Sequence, residues 1–204
     1  MLSTIRRFAA RLLRRAADNE IRRVLEAQDF DRALELLGRL PAGMRDDVTA
    51  SQFRVHALIG LNRFAEAIET LNRMEGMELS DIWRQKVDRL RWRALYGMND
   101  YDSLSGCLSQ CRSRHLHSTS FVAYELLLAY HRCDEASVAA ASDALLARLS
   151  SIDEAWQLVA LWSALRWLNR MPDASRVAET ARRRFSNDPG VQDIVQREQT
   201  QNPS

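Results

Sequence analysis

Glycine, proline and cysteine are scarce in this chain of 204 residues, at seven, four and three copies. So little Gly and Pro excludes a collagen-like or low-complexity polypeptide. Three Cys, an odd number in a chain of this length, do not form the disulfide framework of a small secreted domain, and reduced thiols in a cytosol are expected. Lysine is nearly missing: Lys86 is the single Lys among 29 basic residues, an arginine bias expected of a GC-rich bacterial genome. No apolar run approaches the roughly 18 residues that a membrane-spanning helix needs. Arg6, Arg7, Arg11, Arg14 and Arg15 break up the N-terminal apolar stretch, so it lacks a secretory core. Motifs of chemistry are missing too: there is no GxxxxGK[ST], no GxGxxG after a strand, no HExxH, no GxSxG and no spaced CxxC pair. A non-enzymatic protein without a cofactor is the expectation.

What is present is helical periodicity. Apolar residues make up 46% of the chain, enough for a substantial core. In the segment 48–61, Val48, Phe53, Val55, Ala57, Leu58 and Leu61 mark a broad stripe at a period of 3.6 residues. Ile82, Trp83, Val87, Leu90, Ala94 and Leu95 do the same over 82–97, and 155–168 is apolar on most sides. No run of alternating β-branched residues predicts a strand. Helix punctuation falls between the stripes. Pro41-Ala42-Gly43 closes one helix, Asp46 and Asp47 favour the next N-terminus, Ser80 and Asp81 are candidate caps, and Asp188-Pro189 reads as a cap followed by Pro at the first helical position.

The segments also repeat. Asp29-Phe30-Asp31-Arg32-Ala33-Leu34-Glu35-Leu36-Leu37 lies over Arg63-Phe64-Ala65-Glu66-Ala67-Ile68-Glu69-Thr70-Leu71 at an offset of 34. Tyr101, Leu104 and Leu108 form a third copy 37 residues on. Val138 marks a fourth, 34 after Leu104, and Val177 a fifth, a further 39 along. A second apolar helix precedes each copy. A two-helix unit of about 34 residues, with an aromatic three positions before a small residue, resembles the tetratricopeptide repeat. The resemblance covers roughly residues 10–185. It implies an all-α fold: a right-handed α-solenoid of four to five hairpins with a short C-terminal capping helix near 189–198. A single hairpin cannot bury its own stripe, so stacked neighbours complete the core. In this reading Ala33 and Ala67 permit close helix crossing, while Phe30, Phe64 and Tyr101 plug the seam to the neighbouring hairpin. The expected organisation is a basic amphipathic N-terminal helix over 1–16, continuous with the first repeat or separate from it, a helical-repeat domain over 17–198, and a frayed tail over 199–204.

In that family one face of each first helix lines a groove that receives peptides. By position, the resemblance implies His56, Lys86, Arg89, Arg93, Tyr96 and Tyr130 as groove residues, a basic centre with aromatic neighbours. Forked guanidinium donors beside amphipathic rings suit an acidic peptide or a helix of a partner protein. The expected function is therefore an adaptor or scaffold, with Trp162 or Arg166 as candidates in the fifth repeat. Of the five tryptophans (Trp83, Trp92, Trp156, Trp162, Trp167), most are expected in the core, and an exposed one would mark a contact surface.

Residues 1–23 carry seven Arg against Asp18 and Glu20, a net +5, whereas the rest of the chain sums to −3. Leu2, Ile5, Phe8, Leu12 and their neighbours form a stripe with Arg11 and Arg15 at its side. Such a helix can dock on the repeats, on a partner, or on an anionic membrane surface. The corresponding alternative function is peripheral membrane recruitment, which would place a cytoplasmic protein at the inner face of the cell membrane. Nucleic acid is not an expected partner, because the arginines lack interleaved aromatics. Homo-oligomers could form through uncovered terminal repeats. Cys107, Cys111 and His115, with His117, His131 and Cys133 nearby, make up a candidate metal set for an accessory subunit. Against it, Cys107 to His115 spans about 12 Å of helix rise, too far for one ion, and Cys111 falls at a small core position. No metal is expected.

Overall fold

Five times among the described residues a helix ends on a residue with positive φ: Gln28, Asn62, Asn99, Cys133 and Asn169, spaced 34, 37, 34 and 36 apart. At each of these turns the next backbone N–H reaches five residues back to a helical carbonyl. The bonds are Asp29 to Val24 (3.1 Å), Arg63 to Leu58 (2.8 Å), Asp100 to Leu95 (3.0 Å), Asp134 to Ala129 (3.0 Å) and Arg170 to Leu165 (2.8 Å). This is the Schellman closure, which satisfies carbonyls the helix end would otherwise orphan. Its recurrence sets the period of the molecule.

The computed structural model describes the backbone of residues 2–115 and 117–201, and the side chains of 12–115 and 117–200. Among these residues every regular element is helical: α1 (Leu2–Glu26), α2 (Phe30–Gly38), α3 (Ala42–Arg45), α4 (Val48–Gly60), α5 (Phe64–Glu75), α6 (Asp81–Gly97), α7 (Tyr101–His115), α8 (Thr119–His131), α9 (Glu135–Leu146), α10 (Ala155–Trp167), α11 (Met171–Arg184) and α12 (Pro189–Gln201), with a short 3-10 turn at Leu149–Ser151. None of these helices is long and apolar enough to cross a membrane.

Caps explain many of the boundaries. The carboxylates of Asp29, Asp47, Asp100, Asp134 and Asp188 each accept a bond from a backbone N–H three residues on, and the Ser118 hydroxyl does the same for α8. Each cap is worth about 1 kcal/mol. Ser80 precedes α6 without a side-chain cap bond. Where the turn carries Arg instead of Asp, the guanidinium reaches the acid three positions on, Arg63 to Glu66 at 2.7 Å and Arg170 to Asp173 at 2.7 Å.

By compactness the chain divides into two units, one ending at Leu104 and one beginning at Ser105, within α7. In the first unit α4 is the central helix. It packs on α1 and α2 before it and on α5 and α6 after it, and α5 packs on α6. Two apolar clusters fill these contacts, one around Ile21, Leu37 and Phe53, the other around Val55, Leu71, Met74 and Leu90. Full burial of each such side chain contributes roughly 1.5–3 kcal/mol. Ala33 and Ala67 are fully buried. The Phe30 ring lies against Gly60, and the Phe64 ring against Gly97, so close that a Cβ on either glycine would sit within 2.6 Å of ring carbons. These rings close the seam from one hairpin to the next.

In the second unit α8 packs with α9, α10 with α11, and α8 and α9 both touch α10. The last helix, α12, covers α10 and α11. It runs from Pro189 to Gln201. The fifth copy differs from expectation by one turn: the left-handed Asn169 makes Ala174, not Val177, the counterpart of Val138. Both Ala174 and Val177 are buried, and Met171-Pro172 stands where the other copies carry an aromatic or an acid, so the sequence offered no marker for the register.

Candidate functional site

The face that repeat position assigns to a groove is built on the first helices of the first unit. On α6, Val87, Leu90, Trp92, Ala94 and Leu95 are buried. The stripe at 86, 89, 93 and 96 lies on the other side by helical spacing. Arg89 and Arg93 are exposed, and among the described residues neither has a hydrogen-bond or ion-pair partner. The Lys86 ammonium sits 4.5 Å from the centre of the Trp83 ring, which anchors the end of the stripe near the helix start. Tyr96 is half-buried at the other end and meets Tyr101 edge-on at 5.9 Å. Burial, and to a lesser extent Tyr101, push the Tyr96 phenol above its ordinary value, so it stays a neutral donor and acceptor.

The neighbouring α4 contributes His56, half-buried, with its Nε2 3.5 Å from Gln52 Nε2. On α1, Arg15 and Arg22 are exposed and unpaired among the described residues, whereas Asp18 is taken by Arg14 at 2.9 Å. Arg14 also donates to Asp47 at 2.8 Å and to the Met44 carbonyl at 3.2 Å. The Asp47 bond foremost, with Asp18 helping, outweighs burial and holds this guanidinium above its usual pKa. Nothing in the sequence marked Arg14 as a tie between α1 and the start of α4, because the contact joins residues 33 positions apart.

Most arginines away from this face are paired inside the molecule, as are Arg14 of α1 and Arg84 and Arg91 of α6. Arg32 and Arg39 share Glu35, Arg63 pairs with Glu66, Arg112 with Glu125, Arg170 with Asp143 and Asp173, and Arg182 and Arg183 with Glu179. Arg184 donates to the carbonyls of Leu149, Ser150 and Ile152. The guanidinium groups left without a partner, among the described residues, are those of Arg15, Arg22, Arg23, Arg54, Arg89 and Arg93 in the first unit and Arg176 in the second. All six in the first unit lie on α1, α4 and α6.

The second unit does not continue the basic stripe. The positions equivalent to Lys86 and Arg89 hold Ser120 and Ala123, both buried. Tyr130 belongs to this unit, 40% exposed and edge-on to Trp167 at 5.6 Å. Trp167 is itself 41% exposed, while Trp92 and Trp162 are buried. Trp162, a candidate groove residue, faces α12 instead: its indole N–H donates to Glu198 at 2.9 Å, and Arg166 and Ser175 bond the same carboxylate. Burial raises the Glu198 pKa, but the three hydrogen bonds together bring it below the ordinary value. A cleft of about 510 Å³ opens between α7, α8 and α9, with Leu108, Arg112, Val122, Glu125 and Ala141 in its lining.

The candidate metal residues are split between core and surface. Cys111 is 2% exposed, its thiol directed at the Leu108 carbonyl at 3.7 Å. His115 is buried and stacked on Phe121 with centroids 6.3 Å apart. His117, His131 and Cys133 are exposed, and Cys133 is the left-handed residue of the fourth turn. Of the N-terminal docking candidates, the side chains of Leu2, Ile5, Phe8 and Arg11 lie outside the described residues, while Leu12 and Arg15 are exposed. Comparison with family models, curated proteins and solved structures finds no match to this chain.

Proposed function

We propose that this protein is a non-catalytic interaction module of tetratricopeptide type, an adaptor whose first unit holds an acidic segment of a partner protein along the first-helix face. One observation carries the reading: arginines elsewhere are mostly consumed by internal carboxylates or carbonyls, whereas Arg15, Arg22, Arg89 and Arg93, on the face that holds His56, Lys86 and Tyr96, are left without a partner among the described residues. Unpaired guanidinium forks break no internal salt bridge when they take a carboxylate. The recurring left-handed turns, the buried Ala33 and Ala67, and the rings seated on Gly60 and Gly97 support the repeat assignment. Mechanistically, the module presents a fixed row of donors, with Arg89 and Arg93 clasping acidic side chains and Tyr96 hydrogen-bonding the peptide beside them.

The test uses a fluorescein-labelled Glu/Asp-rich peptide and the full chain. Anisotropy titration should show salt-sensitive binding that weakens about tenfold or more in Arg89→Glu/Arg93→Glu, with the far-UV circular dichroism unchanged. Equal affinity in the double variant removes the assignment.

A further inference from the structure

Helix α1 carries two apolar stripes, and the first unit uses one of them. The buried stripe centres on Ile21, 1% exposed, with Ala17 and Leu25 packed beside it. The other includes Leu12, 51% exposed, while Leu13, 70% exposed, stands at the border between the two, four residues before Ala17. At 100° per residue Leu12 lies about 180° around the helix from Ile21. Ile5, Phe8, Ala9 and Ala16 fall in register with Leu12 at helical spacings of seven, four, three and four residues. The backbone is helical from Leu2 through Glu26. Arg14 is the first described residue to bond outside α1, so about three turns of helix, roughly 18 Å, precede that tie.

Charge decides what this outer stripe fits. From residue 1 to 17 there are five Arg and no Asp or Glu. By helical spacing, Arg15 and then Arg11 flank the stripe on one side and Arg6 on the other, and Arg7 lies opposite it. A narrow two-position seam of apolar residues would suit a partner helix. This stripe is broad, with arginine at both borders and no carboxylate to set a pairing register. That is the pattern of a helix lying flat in a headgroup layer, its apolar side in the acyl boundary and its guanidinium groups reaching phosphate.

We infer that the N-terminal half of α1 is an interfacial helix that seats this protein on an anionic phospholipid surface through Leu12, Leu13 and the residues in register with them. Arg89 and Arg93 of the acidic-peptide face take no part in it, and Arg15 is the residue that both readings use.

The full chain is spun with phosphatidylcholine vesicles prepared with and without phosphatidylglycerol. It should sediment with the anionic vesicles only, be released by high salt, and lose at least about tenfold in partitioning on Leu12→Glu/Leu13→Glu. Both leucines are exposed, so the variant's thermal midpoint should match the parent. Arg11→Gln/Arg15→Gln should weaken the lipid dependence separately. The inference fails if the parent stays in the supernatant, if neutral vesicles bind it equally, or if the leucine variant sediments unchanged. It also fails if light scattering shows that these leucines drive self-association in place of vesicle binding, since the stripe would then be a protein interface.

Discussion

Gly60 shows how one missing side chain can matter more than helix propensity. Glycine inside a helix costs about 1 kcal/mol relative to alanine, so Gly60→Ala would ordinarily stabilise α4. Here the new methyl would meet three ring carbons of Phe30 at 2.5–2.6 Å. Overpacking of this kind costs typically 1–3 kcal/mol, so a net loss is expected in urea denaturation. Phe30→Leu placed on that background should recover part of the loss, the signature of a shared contact. The opposite case is Cys133, a non-glycine residue held at φ 53°. Cys133→Gly relieves about 1 kcal/mol of left-handed strain and should raise the thermal midpoint. By residue type Cys133 belongs among possible metal ligands; its conformational role is not legible in the sequence because the other left-handed positions are Gln and Asn rather than the usual Gly.

At the scale of elements, α11 and α12 respond to acid through different carboxylates. Glu179 of α11 accepts from Arg182 and Arg183, and these bonds draw its pKa from 4.5 to about 2. A lowered folded-state value means the stabilisation is complete above the unfolded value and is lost as pH falls through the folded one. The window for this pair therefore runs from about 4.5 down to about 2, and its exposure keeps the contribution small. Glu198 of α12 is also held below its ordinary value, so the same sign applies. Acidification should loosen α12 from α10, seen as a change in Trp162 emission against a Trp162→Phe control. Glu198→Gln should weaken the α12 contact at neutral pH and remove most of that pH response; an undiminished response in this variant would refute the role of the carboxylate. The C-terminal helix was legible from Asp188-Pro189 and the apolar spacing after it. Its attachment was not, because Glu198 bonds residues 23 to 36 positions away and no local pattern encodes such partners.

For the whole molecule, the legible part was whatever a period can encode. Helix positions, the buried small residues Ala33 and Ala67 and the rings of Phe30 and Phe64 on the next glycines followed from offsets of about 34 residues. The fifth register did not, because Met171 replaced the aromatic and two small or branched residues one turn apart, Ala174 and Val177, are both buried. The basic face was legible as residue types on one side of α6. What the sequence could not distinguish was a paired charge run from an unpaired one, since pairing depends on which acids the packing brings near. Repeat architectures store stability in local hairpins and their neighbours. Ala67→Leu, which overpacks a fully buried crossing, should therefore cost roughly 1–3 kcal/mol. It should speed amide exchange across α4–α6 far more than across α10–α12. A uniform rise over all helices would contradict this local coupling.

The rings on Gly60 and Gly97 also constrain how such a chain can diverge. A bulkier residue at either glycine is admissible only beside a smaller one at Phe30 or Phe64, although the two members of each pair stand about 30 residues apart in sequence. Substitutions at these sites should be inherited in pairs, so covariation between 30 and 60, and between 64 and 97, is the trace this packing would leave among the chain's descendants.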